Sequence, residues 1–441
     1  MRDVLVLGLV FGLSAYAVMH PYVGVLAWTW VSVMNPHRLA WGFAVNFPVA
    51  LTVVIGTMAG ILLTRDRRRM PPRYAPVVVL ALFVAWMCFT SAMAIYPEQI
   101  GELFSRVMKI MFMVFVAMCL LNSRKHVELL VWVLVISLGF YGLKGGLFTL
   151  VGGGEFRVWG PAGSFIEGNN EIALALIMAI PLMRYLQMVS SNRWVRIGLG
   201  VTMVFTALAA LGSQSRGALL AIGAMSGLLW LRSEHKLVSG IVIATLAVSL
   251  VAFMPSTWEA RMQTIDTENL DSSALGRLNA WKMAWNLAKD RPIGGGFEVT
   301  TPEMFMRYAP NPKDIHAAHS IYFEVLGEHG FPGVMLFLLL WWLVWRDAGR
   351  LRRLGARSPP VAWAGKLGSM IQVSLTGYLV GGAFLSLAYF DLPYDLLVLV
   401  VITRMVVEEA QQAATATAGP AQASAPVDVA AAPPPKDRSF A

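Results

Sequence analysis

The chain has 441 residues, of which 57% are hydrophobic and only 14% are charged, and its mean hydropathy is +0.61. Soluble domains carry about 25% charged residues, so this composition excludes an ordinary soluble protein and indicates a polytopic membrane protein. The net charge of +9 is compatible with nucleic-acid binding, but lysine and arginine in a membrane protein first serve to set the topology. We therefore expect no nucleic-acid partner.

Apolar runs long enough to cross a hydrocarbon core of about 30 Å recur along the chain. They fall near residues 4–34, 47–64, 75–94, 107–121, 127–150, 171–183, 197–211, 217–231, 237–254, 321–345, 361–388 and 392–409. The first run is too long for one simple span and is interrupted at His20-Pro21, so it forms either one kinked crossing or two membrane elements. These runs predict an all-α polytopic protein with about 12 transmembrane helices.

Basic clusters between the runs predict the orientation, because cytoplasmic loops are enriched in lysine and arginine. The clusters lie at residues 65–69, 124–125, 184–196, 232–236 and 346–357. They alternate correctly only if residues 4–34 cross the membrane an odd number of times, which predicts that both termini are cytoplasmic. The same counting places residues 151–169, 212–216, 255–320 and 389–391 together on the outer face.

The chain divides into four predicted regions. Residues 1–254 form transmembrane helices 1 to 9, residues 255–320 form one long outer loop or lid with short helices, and residues 321–410 form helices 10 to 12. Residues 411–441 are rich in alanine and proline, a composition that cannot bury a core, so we expect a disordered cytoplasmic tail. The chain has no GxxxxGK[ST], HExxH or CxxC motif, and we expect neither a nucleotide nor a zinc cofactor.

Cations occur on the predicted outer face, where the topology rule does not require them. They are Lys144, Arg157, Arg216 and Arg277. Contact with phospholipid head groups at the membrane surface explains any one of them alone. Several arginines brought together by independent loops favour an anion site, because the planar guanidinium suits phosphate, and a diphosphate would occupy two or three of them.

The outer loop contains the pattern of an amphipathic helix at residues 276–291. Leu278, Trp281, Trp285 and Ala288 recur at helical spacing and predict an apolar stripe that rests on the membrane surface. The glycines at 294–296 then end the helix, and their first use is to permit positive φ angles.

Two histidines stand where this loop returns to the membrane. His316 and His319 are spaced to share a helical face, which is a weak indication of metal binding because no third ligand accompanies them. The alternative is a general base, since histidine titrates near the working pH. Glu324 and Glu328 follow at helical distance and either orient the imidazole or pack the helix.

Several segments resemble the O-antigen ligase superfamily. HSIYFEVLGEHG (319–330) is similar to its His-Ser/Asn-x-Tyr motif with the downstream Glu-x-Gly, and GRLNAWKMAW followed by RPIGGGF (276–297) is similar to its Arg-x-x-x-Trp and Pro-x-x-Gly-x-Gly segments. SQSRGAL (213–219) resembles its Ser-Arg-Gly element, and GNNEIAL (168–174) its Asn-rich entry to a span. Residues 21–48 are similar to the branch of exosortase-associated O-glycosylation ligases.

This resemblance implies a glycosyltransferase without metal or other cofactor, which moves a glycan from undecaprenyl diphosphate to an acceptor hydroxyl at the periplasmic face of the bacterial inner membrane. His319 would be the catalytic base, and Arg216 and Arg277 would bind the diphosphate. We expect further substrate contacts from a second set of residues on or near the outer face. The set comprises Lys144, Arg157, Asn169, Asn170, Glu324, Tyr389 and Asp391.

The acceptor is the least determined part of the prediction. The first hypothesis is the lipid A–core of lipopolysaccharide, the second is a Ser or Thr hydroxyl of an exported protein, and the third is a growing lipid-linked polymer. A transporter of lipid-linked glycans is the rival of another class, but it predicts cations in the middle of the membrane, whereas those of this chain cluster toward one face.

Overall fold

The computed structural model describes residues 1–65, 69–233, 235–252, 254–256 and 272–417. The described residues form fifteen α-helices and contain no strand. The helices are α1 Arg2–Met19, α2 Pro21–Met34, α3 Val49–Leu63, α4 Ala75–Ala92, α5 Gly101–Leu120, α6 Arg124–Val151, α7 Asn169–Val189, α8 Arg193–Gly212, α9 Arg216–Arg232, α10 Lys236–Ala252, α11 Ser272–Asp290, α12 Pro302–Tyr308, α13 Ile321–Arg357, α14 Ala362–Gly381 and α15 Asp391–Thr417. Short 3₁₀ turns lie at Pro36–Leu39, Phe43–Asn46, Pro359–Val361 and Gly382–Phe384.

Eight segments in the described part of the chain are long and apolar enough to cross a membrane. They are α1, α4, α5, α6, α7, α8, α13 and the segment Pro359–Phe384 that contains α14. Shorter apolar helices occur at Pro21–Met34, Val49–Leu63 and Lys236–Ser249. The predicted all-helical polytopic membrane protein is confirmed, whereas the count of about 12 crossings stays a prediction.

The first apolar run forms two antiparallel helices. Pro21 begins α2, and the chain reverses at His20. The carboxylate of Asp3, at the start of α1, accepts hydrogen bonds from the backbone N–H groups of Gly42 and Ala44, at 3.1 and 3.0 Å, so α1 begins beside the segment that follows α2. The predicted odd number of crossings for residues 4–34 is therefore wrong.

The hairpin also changes the predicted position of the termini. We call the end of the bundle that holds residues 35–48 and 152–168 the loop end. Met1 lies at this end with the start of α15, where Asp391 accepts a hydrogen bond from Ser32, while Glu408 near the other end of α15 accepts one from Tyr74 beside α4. The described ends of the chain thus lie at opposite ends of the bundle, which contradicts the prediction that both termini share one face. Counting charge clusters misses a reversal inside an apolar run.

Two predicted regions extend beyond the described residues. Helix α15 continues to Thr417, past the boundary predicted after residue 410, and residues 418–441 of the predicted disordered tail lie outside the described residues. In the outer loop, residues 257–271 are also outside them.

Helix α13 is broken at Gly330, which has φ 65° and ψ −165°. The carbonyl of Gly327 loses its helical partner there, and the carbonyl of Glu328 faces Pro332, which has no N–H. Both carbonyls instead accept hydrogen bonds from the glycine-rich segment, Gly327 from the Gly295 N–H at 2.9 Å and Glu328 from the Gly296 N–H at 2.8 Å.

Glycine is required for this contact. Gly294 and Gly296 have φ angles of 79° and 90°, a region that side chains disfavour. A Cβ atom on Gly294 would lie 2.5 Å from the backbone nitrogen of Gly330, and the Phe331 N–H donates to the carbonyl of Pro292 at 3.0 Å. Residues 292–296 therefore replace the helical hydrogen bonds that the break in α13 removes, and they attach the loop to the bundle.

The arrangement of the hairpin predicts which positions face the same side of the membrane. In a protein with Cys88→Ser and Cys119→Ser, we expect cysteines placed at Trp41 and Lys313 to react from the same side with a membrane-impermeant maleimide, because both positions are exposed at the loop end. A cysteine at Arg353, near the end of α13, should react only from the opposite side. Labelling of positions 41 and 313 from different sides would contradict the hairpin.

Candidate active site

Three of the predicted arginines line one cavity of about 340 Å³ at the loop end. Arg157 comes from the segment between α6 and α7, Arg216 is the first residue of α9, and Arg277 lies in α11. We call this space the arginine cavity. Its other lining residues are Asn170, Gln214, Ser215, Gly217, Ala274, Phe384 and Leu385. Three chain segments that are distant in sequence thus direct guanidinium groups to one place.

A tight turn positions Arg216. Ser215 caps α9, and its hydroxyl accepts a hydrogen bond from the Ala218 N–H at 3.2 Å. Gln214 has a positive φ of 57°, and its side-chain carbonyl accepts from the Arg157 guanidinium at 3.4 Å. The Gln214 amide also donates to the carbonyls of Gly154 and Glu155, both at 3.3 Å. One side chain, which sequence reasoning did not single out although it adjoins the Ser-Arg-Gly element, thus connects the two arginine-bearing segments.

The two neighbouring asparagines have different environments. The Asn169 amide is buried and donates to the carbonyl of Ser213 at 2.7 Å, so it holds the turn that precedes Arg216. Asn170 lines the arginine cavity. The structure therefore assigns Asn169 to the support of the cavity and leaves Asn170 as the one that faces it.

Arg277 lies on α11, a helix that packs one face against its own loop. Leu278 and Trp285 are 39% and 47% exposed, whereas Ala280, Met283 and Leu287 are buried. These three pack with residues from the following segment into a small core of their own, completed by Val299, Met304 and Phe305. Leu278 and Trp285, two members of the predicted membrane-facing stripe, are exposed, whereas Ala288, another member, is buried, so the contact of this stripe with the membrane stays a prediction.

Trp281 joins α11 to the segment that carries His319. Its indole N–H donates to the carbonyl of Ala318 at 2.7 Å, and its ring stacks on Phe323 with 4.9 Å between centroids. His319 follows with a φ of 41°, a conformation that is rare for a residue other than glycine, and Ser320 then occupies the N-cap position of α13. The Trp281 indole therefore holds the backbone directly before His319, the predicted base.

His319 lies within electrostatic range of Arg277. Burial lowers the pKa of His319 below its ordinary value of 6.5, and the charges of Arg277 and His316 lower this pKa further. Glu171, in the first turn of α7, also interacts electrostatically with Arg277 and was missed as a candidate, although it belongs to the GNNE segment. The imidazole is therefore neutral near pH 7, the form that can accept a proton.

The two histidines do not share a helical face, because residues 309–319 are not helical. The His316 imidazole contacts the carboxylate of Asp314 at 2.7 Å and lies against Gly276. In the part of the chain that the structure describes, no group of three or more His, Cys, Asp or Glu side chains could hold a metal ion.

The remaining predicted substrate residues lie outside the arginine cavity. Glu324 accepts a hydrogen bond from the Ala388 N–H at 3.2 Å, and Glu328 accepts one from the Tyr389 hydroxyl at 2.5 Å and one from the Glu298 N–H at 3.1 Å. These carboxylates connect α13 to its neighbouring segments. Asp391 and Lys144 line other cavities.

Comparison with protein families divides the chain into two matches. Residues 1–191 match a family of unknown function, DUF5935, and residues 201–338 match the family described as O-antigen ligase. The second match contains Arg216, Arg277 and His319. The match places residues 201–338 in the O-antigen ligase superfamily. No curated protein matches it.

Membership confirms the predicted superfamily and the coarse activity. The protein is an enzyme of the lipid-linked glycan ligase or polymerase type, and it works on lipid-linked glycans in a membrane. The arginine cavity draws on both matched regions, since Arg157 and Asn170 belong to the first and Arg216 and Arg277 to the second.

The two asparagines provide a matched pair of variants. Asn169→Ala removes the donor to the buried Ser213 carbonyl, and we expect a loss of about 1–3 kcal/mol in the free energy of unfolding because that carbonyl stays buried without its partner. Asn170→Ala should leave the thermal unfolding temperature in detergent within the error of the wild type. Equal unfolding temperatures for the two variants would contradict the assignment of Asn169 to the support of the turn.

Proposed function

We propose that this superfamily member transfers a glycan from undecaprenyl diphosphate to an acceptor hydroxyl at the periplasmic face of the inner membrane, and that the acceptor is the lipid A–core of lipopolysaccharide. The observation that carries the proposal is the convergence of Arg157, Arg216 and Arg277 on one cavity, with His319 in range of Arg277. Three guanidinium groups directed at one cavity form a place where a phosphate-bearing group can bind.

A diphosphate is the anion that fits this arrangement best. Guanidinium groups bind phosphate oxygens through two parallel hydrogen bonds, and three of them can contact both phosphates of a diphosphate. Negative charge accumulates on the diphosphate as it leaves, so the same contacts strengthen along the reaction and lower its barrier. In the proposed reaction the arginines supply the positive charge at the leaving group.

The surroundings of the arginine cavity suit a donor with a lipid tail. Arg157 also borders an apolar cavity of about 270 Å³, whose other lining residues include Tyr141, Lys144, Phe148, Val158 and Trp159. Phe148 and Trp159 are 48% and 58% exposed, which opens this cavity toward the membrane. A polyprenyl chain that starts at the diphosphate would have apolar surface directly beside it.

His319 is the proposed general base. The acceptor hydroxyl attacks the anomeric carbon, its proton passes to the imidazole, and the bond from that carbon to the diphosphate oxygen breaks, releasing undecaprenyl diphosphate. A single displacement of this kind inverts the configuration of the anomeric carbon. The neutral imidazole that burial and Arg277 favour is the form that this step requires.

Variants of the three central residues test the assignment in a purified assay with a lipid-diphosphate donor. His319→Ala should lower kcat by about 100-fold or more, the contribution of a general base. Arg216→Ala and Arg277→Ala should mainly lower kcat/KM for the donor, because they remove contacts to its diphosphate. Lys289→Gln removes an exposed cation from the same helix as Arg277 and is the matched control.

The outcomes of this assay separate the parts of the proposal. A folded His319→Ala protein that keeps most of its turnover would exclude the base, and donor dependence that is unchanged in both arginine variants would exclude the diphosphate site. Transfer to a lipid A–core acceptor but not to a Ser- or Thr-containing peptide is expected. The reverse preference would replace the lipid acceptor with a protein.

The pH dependence of kcat/KM reports on the same pair. Only the neutral imidazole accepts a proton, so activity should fall on the acid side with a midpoint below 6.5, where His319 becomes protonated. Arg277→Gln removes a positive charge that lowers the pKa of His319, and the midpoint should therefore move to higher pH. Lys289→Gln should leave the midpoint unchanged. If the midpoint does not move in Arg277→Gln, the fall in activity on the acid side is not caused by protonation of His319.

A further inference from the structure

A second cavity, of about 470 Å³, lies at the loop end and shares no lining residue with the arginine cavity. Helix α2, the 3₁₀ turn after it, α5 and the segment 163–165 form its walls. Apolar side chains such as Trp28, Val31 and Ile110 line one part, and Asn35, Arg38 and Arg106 line another. We call it the Arg106 cavity. Its lining is polar and apolar at once, as an amphiphile requires.

Three cations face this cavity: Arg38, Arg106 and Lys109. The Arg106 guanidinium donates to the carbonyl of Gly163 at 3.4 Å and lies 3.8 Å from the centre of the Phe165 ring. The Arg38 guanidinium packs against the same glycine. The segment at Gly163 thus contacts both Arg106 and Arg38. Lys109 lies one helical turn after Arg106 in α5.

The charge of the cavity indicates the kind of anion. Glu102 and Asp391 also line it, and Asp391 accepts a hydrogen bond from the Ser32 hydroxyl. His37 contributes no charge near pH 7, because burial and the neighbouring Arg38 lower its pKa to about 4. Three cations against two carboxylates leave one positive charge. A singly charged phosphodiester matches this balance better than a diphosphate does.

An apolar groove continues from the Arg106 cavity. Arg38 also lines this groove, a space of about 620 Å³ formed by α1, α2 and α6 with Leu5, Leu9, Trp30 and Phe140 among its apolar lining residues. Two further cations, Arg2 and Lys144, line it as well. Leu5 is 63% exposed, so the groove is open along α1 to the surroundings of the bundle. Arg38 therefore lies where the polar cavity joins the apolar groove. A phospholipid has the same arrangement, with a charged phosphate next to its acyl chains.

We propose that the Arg106 cavity and this groove form one site for an anionic phospholipid of the bilayer, with its phosphodiester beside Arg38 and Lys109 and an acyl chain in the groove. The Arg106 cavity shares no lining residue with the arginine cavity, while the groove shares Leu39 and Lys144 with the apolar cavity beside Arg157. The proposal does not depend on glycan transfer. The cations of the site lie outside the residues 201–338 that match the O-antigen ligase family.

Native mass spectrometry of the purified full-length protein tests this site with phosphatidylglycerol and zwitterionic phosphatidylcholine as probes. The wild type should retain phosphatidylglycerol in preference. Arg38→Gln combined with Lys109→Gln should weaken that retention by about fivefold for each cation removed. Both side chains are exposed, and size-exclusion profiles and unfolding temperatures would check that the variant is folded.

One control variant distinguishes the effect of charge from the effect of side-chain shape. A second distinguishes this site from the arginine cavity. Arg38→Lys combined with Lys109→Arg keeps both charges and should keep the preference for phosphatidylglycerol, and Arg216→Ala should keep it as well. Any of four results would overturn the proposal: equal retention of both lipids by the wild type, unchanged retention in the neutral variant, equal loss in the charge-retaining variant, or loss in Arg216→Ala. With phosphorylated lipid A added as a third probe, its selection over phosphatidylglycerol would also overturn the proposal.

Discussion

The hydrogen bonds between the glycine-rich segment and the break in α13 are the contact on which the rest of the site depends. Inside a bilayer an unpaired backbone group costs several kcal/mol, so a helix can break only where another group replaces its lost partners. Residues 292–296 supply those partners to Gly327 and Glu328 and thereby fix the described part of the loop, residues 272–320, against the bundle. Arg277 and His319 belong to that loop, one on each side of the attachment point. Their position relative to Arg216 is therefore set by backbone hydrogen bonds rather than by loop length.

The sequence identified the arginines that line the cavity, but not the contacts that hold them there. The presence of cations on the predicted outer face identified Arg157, Arg216 and Arg277, and in the structure these three line one cavity. Sequence reasoning could not distinguish two neighbouring side chains of one type. The sequence Asn169-Asn170 does not show which of the two amides donates to the Ser213 carbonyl. Periodicity also did not show that α11 has a second apolar face, on which Ala280 and Met283 pack with Val299 and Phe305 while Leu278 and Trp285 stay exposed. Both points concern contacts with another segment of the chain, which local periodicity does not specify.

The topological error has the same origin. The positive-inside rule treats an apolar run as a unit, and a reversal at His20-Pro21 leaves no charge for the rule to count. The structure shows the reversal through Asp3, whose carboxylate meets Gly42 and Ala44. The correction has a functional consequence, because a hairpin returns residues 35–48 to the loop end. A single kinked crossing would have placed Arg38 at the opposite end, away from Arg106 and the Gly163 turn.

The segment 152–168 then contributes to both proposed anion sites, which differ in charge. Arg157, near its beginning, faces a cavity with three arginines, while Gly163, six residues later, receives Arg106 and Arg38 in a cavity whose cations are largely balanced by carboxylates. Six residues span at most about 20 Å, so the two sites are close neighbours. In a membrane where phospholipids greatly outnumber the donor, a site with a large positive charge would bind whichever anion is most abundant. Under the two proposals, Glu102 and Asp391 reduce the net charge of the Arg106 cavity to a single positive charge, while Glu171 is the one carboxylate described beside the three guanidinium groups of the arginine cavity. The proposals therefore predict that the diphosphate, with more negative charge, prefers the arginine cavity.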